Sequence, residues 1–347
     1  MTPPVWQAEL PERVAPHLLH AASRREFAGV RVDVDDPVLS ASLREQDAQP
    51  QWEYAYRWPG PCTVEPGLGY VVTAAGRLVL ESLPYSRHIG PPVAEVPDRT
   101  RRVGSLVSLR DTGDVNYYHF LDDVLGRLEL FDRIGVPDDV PLLVSAALAG
   151  RPYFRDAVAR SSRLRARSWL VQSPDEAVVA DEVWFGKALP HCRRTLSAAA
   201  DLLEMLPADP AADRRVLLVR SPARTRHLRN AADVEAVCLD RGFEVVDADL
   251  LGLEEQMALF SQARFVVGPH GAGLVNLLWR RGAPCSLLEL FPPDASPAHY
   301  HWLCASFGYD YAALRGCSGS TAGGFDVDVD AFAVAVDRLV RGVRTTA

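Results

Sequence analysis

The chain is almost without lysine. Lys187 is its single lysine in a total of 37 basic residues, so nearly all positive charge is guanidinium and an arginine is informative only by its spacing. The 45 acidic residues outnumber the basic ones and give a formal charge of −8. That balance excludes general nucleic-acid binding through the phosphate backbone. Cysteine is sparse too: Cys62, Cys192, Cys238, Cys285, Cys304 and Cys317 contain no C-x-x-C pair. They read as reduced core residues, not as a disulfide frame or a zinc site. Long apolar runs are missing. Met1 to Arg13 carries Pro3, Pro4, Glu9 and Glu12, and no signal peptide or transmembrane segment is legible. The expected compartment is the cytoplasm, which is compatible with peripheral membrane contact. Oligomeric state is not legible.

Metal ligands are also missing from the pattern. His299-Tyr300-His301 has no third ligand at a recognisable spacing, and adjacent helical residues do not share a face. Asp247-Ala248-Asp249 and Asp326-Val327-Asp328-Val329-Asp330 contain D-x-D, but acids just before a helix are usually N-caps. The expectation is no metal and no cofactor.

What is present is an ordinary globular composition, 48% hydrophobic and 24% charged, on 347 residues, which is longer than one core usually serves. Residues 1–100 read as a small β-rich region joined to the first domain, with strand candidates at Tyr70–Thr73 and Leu78–Leu80. From Gly104 strands and helices alternate: strand 106–109, helix 116–131, strand 140–144, helix 153–160, strands 168–171 and 182–185, helix 195–206. The polar run Pro207–Asp213 is the best linker. Beyond it come strand 216–220, helix 231–240, strand 243–246, helix 253–263, strand 265–268, helix 273–280, strand 285–290, helix 298–307, a strand near 309–314 and a helix from 329 to about 344. The predicted fold is α/β: two Rossmann-like domains facing a cleft, one at 101–207 and one at 208–347.

The stretch organising the second domain is Gly268-Pro269-His270-Gly271-Ala272-Gly273-Leu274-Val275-Asn276, where a strand meets a glycine turn and then an amphipathic helix. Such a turn leaves the N–H groups of Gly271, Ala272 and Gly273 at a helix start, and glycine lets a phosphate approach. His270 is an odd structural choice there and a good partner for phosphate. The next strand carries Glu289, placed to hold ribose hydroxyls. In the first domain, a helical wheel puts Asn116, His119, Asp123 and Arg127 in one polar stripe beside an apolar arc, with Asp122 more than a quarter turn away. The bland alternative is an N-cap at Asn116 and an Asp123 to Arg127 ion pair. Arg220, Arg224, Arg226 and Arg229 lie on one loop suited to clamping a diphosphate, with Arg220 and Arg229 favoured by their places at the strand end and the helix start.

With these motifs in view, NYYHFLDDVLGRL, the run from Arg220 to Asn230, GPHGAGLVNLLW and LLELFPP make the chain resemble family 61 glycosyltransferases, the capsular-polysaccharide-biosynthesis type also described as domain of unknown function 563. The resemblance implies a GT-B architecture and inverting, metal-free transfer from a nucleoside-diphosphate sugar, UDP-linked by expectation, to a hydroxyl of a saccharide or other acceptor. It places Arg220, Arg229, His270 and Glu289 on the nucleotide side and His119 and Asp123 on the acceptor side; Gly271, Ala272, Gly273 and Asn276 are expected to join the donor site, and Asn116 and Arg127 the acceptor side. Gly126 stands where the family usually has proline, and Asp122 where it usually has an apolar residue. The expected division of labour makes Asp123 the base and His119 its orienting neighbour, with the reverse assignment, or Asp122 as the base, as the alternatives. Two rivals are a nicotinamide-dependent oxidoreductase, because strand, glycine turn, helix and acid are imitated from Gly268 to Glu289, and a non-catalytic saccharide- or nucleotide-binding protein.

Overall fold

The structure is a computed structural model that describes residues 13–15, 32–49, 51–82, 99–111 and 113–341. Among these residues the strands are β1 (Arg13–Ala15), β2 (Val32–Asp33), β3 (Tyr54–Trp58), β4 (Cys62–Val64), β5 (Val71–Thr73), β6 (Leu78–Val79), β7 (Arg99–Ser108), β8 (Leu142–Ser145) and β9 (Trp169–Gln172). They continue with β10 (Glu176–Lys187), β11 (Arg214–Leu218), β12 (Glu244–Val246), β13 (Ala263–Pro269), β14 (Ser286–Phe291), β15 (Asp310–Arg315), β16 (Ser318–Ser320) and β17 (Gly324–Asp326). The chain divides into two compact units, one of Met1–His20, Gln51–Pro190 and Asp201–Glu204, the other of Ala21–Pro50, His191–Ala200 and Met205–Ala347.

The first unit is a mixed sheet. Its parallel part runs β10-β7-β8-β9, so in chain order the strands lie 4-1-2-3, and the order reverses between β7 and β10. Strand β10 is twelve residues long and offers its other edge twice, antiparallel to β4 through its first half and to β3 through its second. Hence residues 51–82 are built into this sheet, with β4, β5 and β6 as a meander on its flank. Val64, Val71, Val79, Leu106, Leu143, Val178, Val183 and Phe185 form one core beneath both parts.

The second unit is a six-stranded parallel sheet ordered β12-β11-β13-β14-β15-β2. In chain order β11 to β15 lie 2-1-3-4-5, so the winding reverses between β11 and β13, the point where open α/β sheets bind ligands. One face is covered by the helices Ala231–Leu239 and Val329–Arg341, whose Val234, Cys238, Phe332, Val336 and Leu339 pack on Leu217, Val267, Leu288 and Leu290. The edge strand β2 and the helix Pro37–Asp47, which follows an Asp36 cap, belong here and not to an N-terminal region of 1–100. Pairing with β15 is the cause, and it was invisible because the strand is two residues long. Residues 1–12, 16–31, 50 and 83–98 lie outside those described.

The expected polar linker is held by a buried arginine. Arg280, fully buried, donates to the carbonyls of Asp209 (2.8 Å), Ala212 (2.7 Å), Ser261 (2.8 Å) and Pro284 (3.0 Å). Arg281 donates to Ser197 and Met205. Each net hydrogen bond is worth about 1 kcal/mol, and a buried carbonyl left alone costs more. Arg280→Met, similar in length but without donors, is therefore expected to lose about 3 kcal/mol or more in urea denaturation. A loss below about 1 kcal/mol would contradict this role.

Candidate active site

In the first unit, β7 leads into the helix that opens at Tyr117, capped by Asn116 Oδ1, which accepts from the Tyr118 N–H at 2.9 Å. The helix is not regular. Residues Phe120–Val124 form a π-turn in which the Leu125 N–H reaches the Phe120 carbonyl, and α-geometry resumes over Leu125–Arg133. Such turns concentrate at functional sites. His119 Nδ1 lies 2.5 Å from Asp123 Oδ2, and the Asp123 side chain is only 5% exposed against 30% for His119. The imidazole lies against the backbone of Gly113, where a Cβ would fall 2.8 Å from a ring carbon, so glycine makes room for it. Burial disfavours the charged imidazole, but the hydrogen bond and charge of Asp123, with Asp122 and Asp111 behind it, prevail and raise the His119 pKa above 6.5.

The expected stripe thus holds for His119 and Asp123 and breaks at Arg127. Its guanidinium is buried and donates to the carbonyls of Leu109 (2.8 Å), Arg110 (3.1 Å) and Asp123 (3.1 Å), fastening the helix to the end of β7. Neither the acceptor-side role nor the ion pair with the Asp123 carboxylate is what it does. Asn116 is the cap of the bland alternative. Asp122 is fully buried and accepts from the Tyr118 hydroxyl at 2.9 Å.

In the second unit the reversal of winding brings together the loops after β11 and β13. Arg220, two residues past β11, sits over Gly271: a Cβ there would come within 1.7 Å of Arg220 Nη1. Glycine at 271 is therefore a seat for the guanidinium. Tyr300 holds the same turn from behind, its hydroxyl donating to the Gly271 carbonyl at 2.6 Å. The segment Ala272–Arg280 is a 3₁₀-helix where an α-helix was expected, and Leu274 is the first residue bonded back, to the Gly271 carbonyl at 3.0 Å. The N–H groups of Gly271, Ala272 and Gly273 precede that bond.

His270 is buried and stacked on Phe291, with Nδ1 at 2.6 Å from Glu289 Oε1. Glu289 is fully buried in the middle of β14, and its other oxygen accepts from the Tyr311 hydroxyl at 2.8 Å. Both carboxylate oxygens are engaged, so Glu289 is not the ribose acceptor that a strand-end acid would be; it orients His270. Burial, aided by the charges of Arg226 and Arg220, lowers the His270 pKa to about 3, and burial raises that of Glu289 to about 8. Both directions favour neutral partners.

Asn276 is likewise inside the fold. It donates to Gln256 (2.7 Å) and to the Gly273 carbonyl (3.0 Å), and accepts from Trp279 Nε1 (2.8 Å), so it braces the glycine turn. Arg229 is spent on Asp326 and Ser318 Oγ, away from the turn. The D-x-D segments act as caps: Asp247 accepts from Asp249 N and Asp328 from Ala331 N. Five cysteines are buried as expected, but Cys317 is exposed.

The model of the family described as Glycosyltransferase 61 matches residues 117–287, from the helix of His119 and Asp123 to the strand that carries Glu289. Those residues form a Glycosyltransferase 61 family domain. Among solved structures it is similar to the E. coli heptosyltransferase WaaC with ADP, at 12% identity and a TM-score of 0.31, over 70% of this chain and 97% of that one. The curated proteins yield no match. Sequence reasoning had passed over Tyr311 and Tyr300, which no motif singles out, and had not favoured Arg226 among its loop arginines.

The raised His119 pKa has a definite sign. Stability from the His119 to Asp123 pair is fully present below 6.5, the unfolded value, and is lost as pH rises through the higher folded value. Titration by NMR is expected to place the His119 midpoint above 6.5 in the wild type and below it in Asp123→Asn, where burial acts without the carboxylate. A midpoint unmoved by that substitution would contradict the assignment.

Proposed function

We propose that this glycosyltransferase inverts configuration at the anomeric carbon of a nucleoside-diphosphate sugar, UDP-linked, whose diphosphate is held at the β11/β13 reversal of the second unit. The observation carrying the donor site is the Arg220 guanidinium seated on Gly271 beside His270. Guanidinium charge and backbone N–H groups there stabilise the departing diphosphate without a divalent cation. The acceptor, a hydroxyl of a saccharide or other glycan, is assigned to the first unit in a GT-B-type arrangement. Six free thiols accord with a cytoplasmic reaction, and among the described residues no helix is long and apolar enough to cross a membrane.

His119, rather than Asp123, takes the acceptor proton in this reading. The more exposed imidazole has Nδ1 committed to the buried Asp123 carboxylate, so Nε2 receives the proton and Asp123 stabilises the imidazolium. The acceptor oxygen bonds to the anomeric carbon, the bond from that carbon to the phosphate oxygen breaks, and its electron pair leaves with the diphosphate.

His119→Ala is expected to lower kcat by about 10² to 10⁴ with nucleotide affinity intact, and Asp123→Asn by less. The rate of the wild type should rise with pH through a midpoint above 6.5, and it should survive EDTA. A larger loss at Asp123, with a midpoint in the acid range, would return the base to Asp123. Activity abolished by EDTA and restored by Mg²⁺ would remove the arginines from the role of cation.

A further inference from the structure

Four arginines lie between β11 and the helix Ala231–Leu239, and they divide sharply. Arg224 is paired with Asp249 at 2.8 Å and Arg229 with Asp326 and Ser318. Arg220 is seated on Gly271, its Nε donating to the Thr225 carbonyl at 3.2 Å. Arg226 is set apart by its backbone. Its φ is 58°, in the left-handed region that a long side chain avoids. The conformation is fixed from outside, because the Arg226 N–H donates to the Thr321 carbonyl at 2.8 Å and the flanking Leu228 bridges to Phe325.

The side chain so directed is not satisfied by the protein. Arg226 Nε is buried and, among the described residues, lacks a hydrogen-bond partner. Arg226 directly follows Thr225, whose carbonyl accepts from the same Arg220 that is seated on Gly271, so the residue lies next to the arginine of the glycine turn, and its charge contributes to lowering the pKa of both Arg220 and His270. Two guanidinium groups, a neutral imidazole and the start of a 3₁₀-helix thus meet where Asp249 is the acid that acts on Arg220 and is itself bound to Arg224. Like charges brought together, with a buried donor unmade, are costly unless an anion completes them. An anion with several oxygens on two adjacent phosphorus atoms matches two guanidinium forks.

We infer that Arg226 binds the diphosphate of the nucleotide donor, gripping it with Arg220, and that Arg229 takes no part. This rests on the donor site proposed above. Arg226 supplies the second fork from a backbone conformation that holds it toward the turn, and the ribbon β16–β17 keeps that conformation in place.

Calorimetric titration of the full chain with uridine diphosphate and with inorganic pyrophosphate tests it. Arg226→Gln is expected to weaken both ligands by about 10- to 150-fold, the worth of a charge-assisted hydrogen bond, while Arg229→Gln stays within about threefold. Arg226→Gly separates binding from folding, since glycine adopts the left-handed conformation freely: it should melt no lower than wild type and bind as weakly as Arg226→Gln. If both Arg226 variants bind within about threefold of wild type while Arg220→Gln loses more than about tenfold, Arg226 is excluded and the donor site stands. If the wild type binds none of UDP, ADP, GDP, CDP or pyrophosphate, the donor site falls and Arg226 falls with it.

Discussion

The second unit depends on a reversal of winding. Because β12 lies on one side of β11 and β13 on the other, the loops leaving β11 and β13 diverge, and the space between them is lined by backbone ends and by whatever those loops carry. Here they carry Arg220 and the turn His270-Gly271, and the guanidinium rests where a Cβ at 271 would be. Much around the turn serves that contact. Tyr300 fixes the Gly271 carbonyl, Asn276 fixes the Gly273 carbonyl, and Glu289 with Tyr311 fixes the His270 ring. These supporting groups are almost all buried, so they act on a ligand only through the residues they orient.

A near-absence of lysine shapes how the fold handles charge. Arginine does structural work that its planar fork suits: Arg127 and Arg280 cap carbonyls inside the protein, Arg110 binds the carbonyls of Pro66 and Gly67, and Arg281 ties the chain near Met205. Such arginines are sequence-silent, because they look the same as arginines that face a ligand. The distinction lies in what the donors touch. Arg127 donates through Nε, Nη1 and Nη2 to carbonyls, Arg229 through Nη2 to a carboxylate and a hydroxyl, and Arg110 and Arg281 bind carbonyls although each leaves Nε unbonded, whereas the Arg226 guanidinium makes no hydrogen bond to the described residues and keeps its Nε buried.

This explains what the sequence could disclose. After residue 213 each expected strand and helix is present within a few residues, since period and turn residues alone set those boundaries. The glycine turn and its histidine were legible because few purely structural reasons put them together. Glu289 was found but misjudged: β14 runs on to Phe291, so the carboxylate lies within the strand and not at its end. The polar stripe on the Asn116 helix was read with a uniform 100° step. That step held as far as the His119 to Asp123 contact, but the π-turn from Phe120 to Val124 and the tertiary demand of two β7-end carbonyls decided Arg127. The double use of β10, and the pairing of β2 with β15, are long-range choices that local pattern does not encode.

The central claim is that the reversal between β11 and β13 receives the nucleotide. Hydrogen–deuterium exchange of the intact chain with and without uridine diphosphate addresses it directly, because bound phosphate protects the backbone N–H groups it engages. The account predicts protection concentrated in residues 219–229 and 268–276. Protection confined to the first unit, around residues 109–125, with those two segments unchanged, would contradict it.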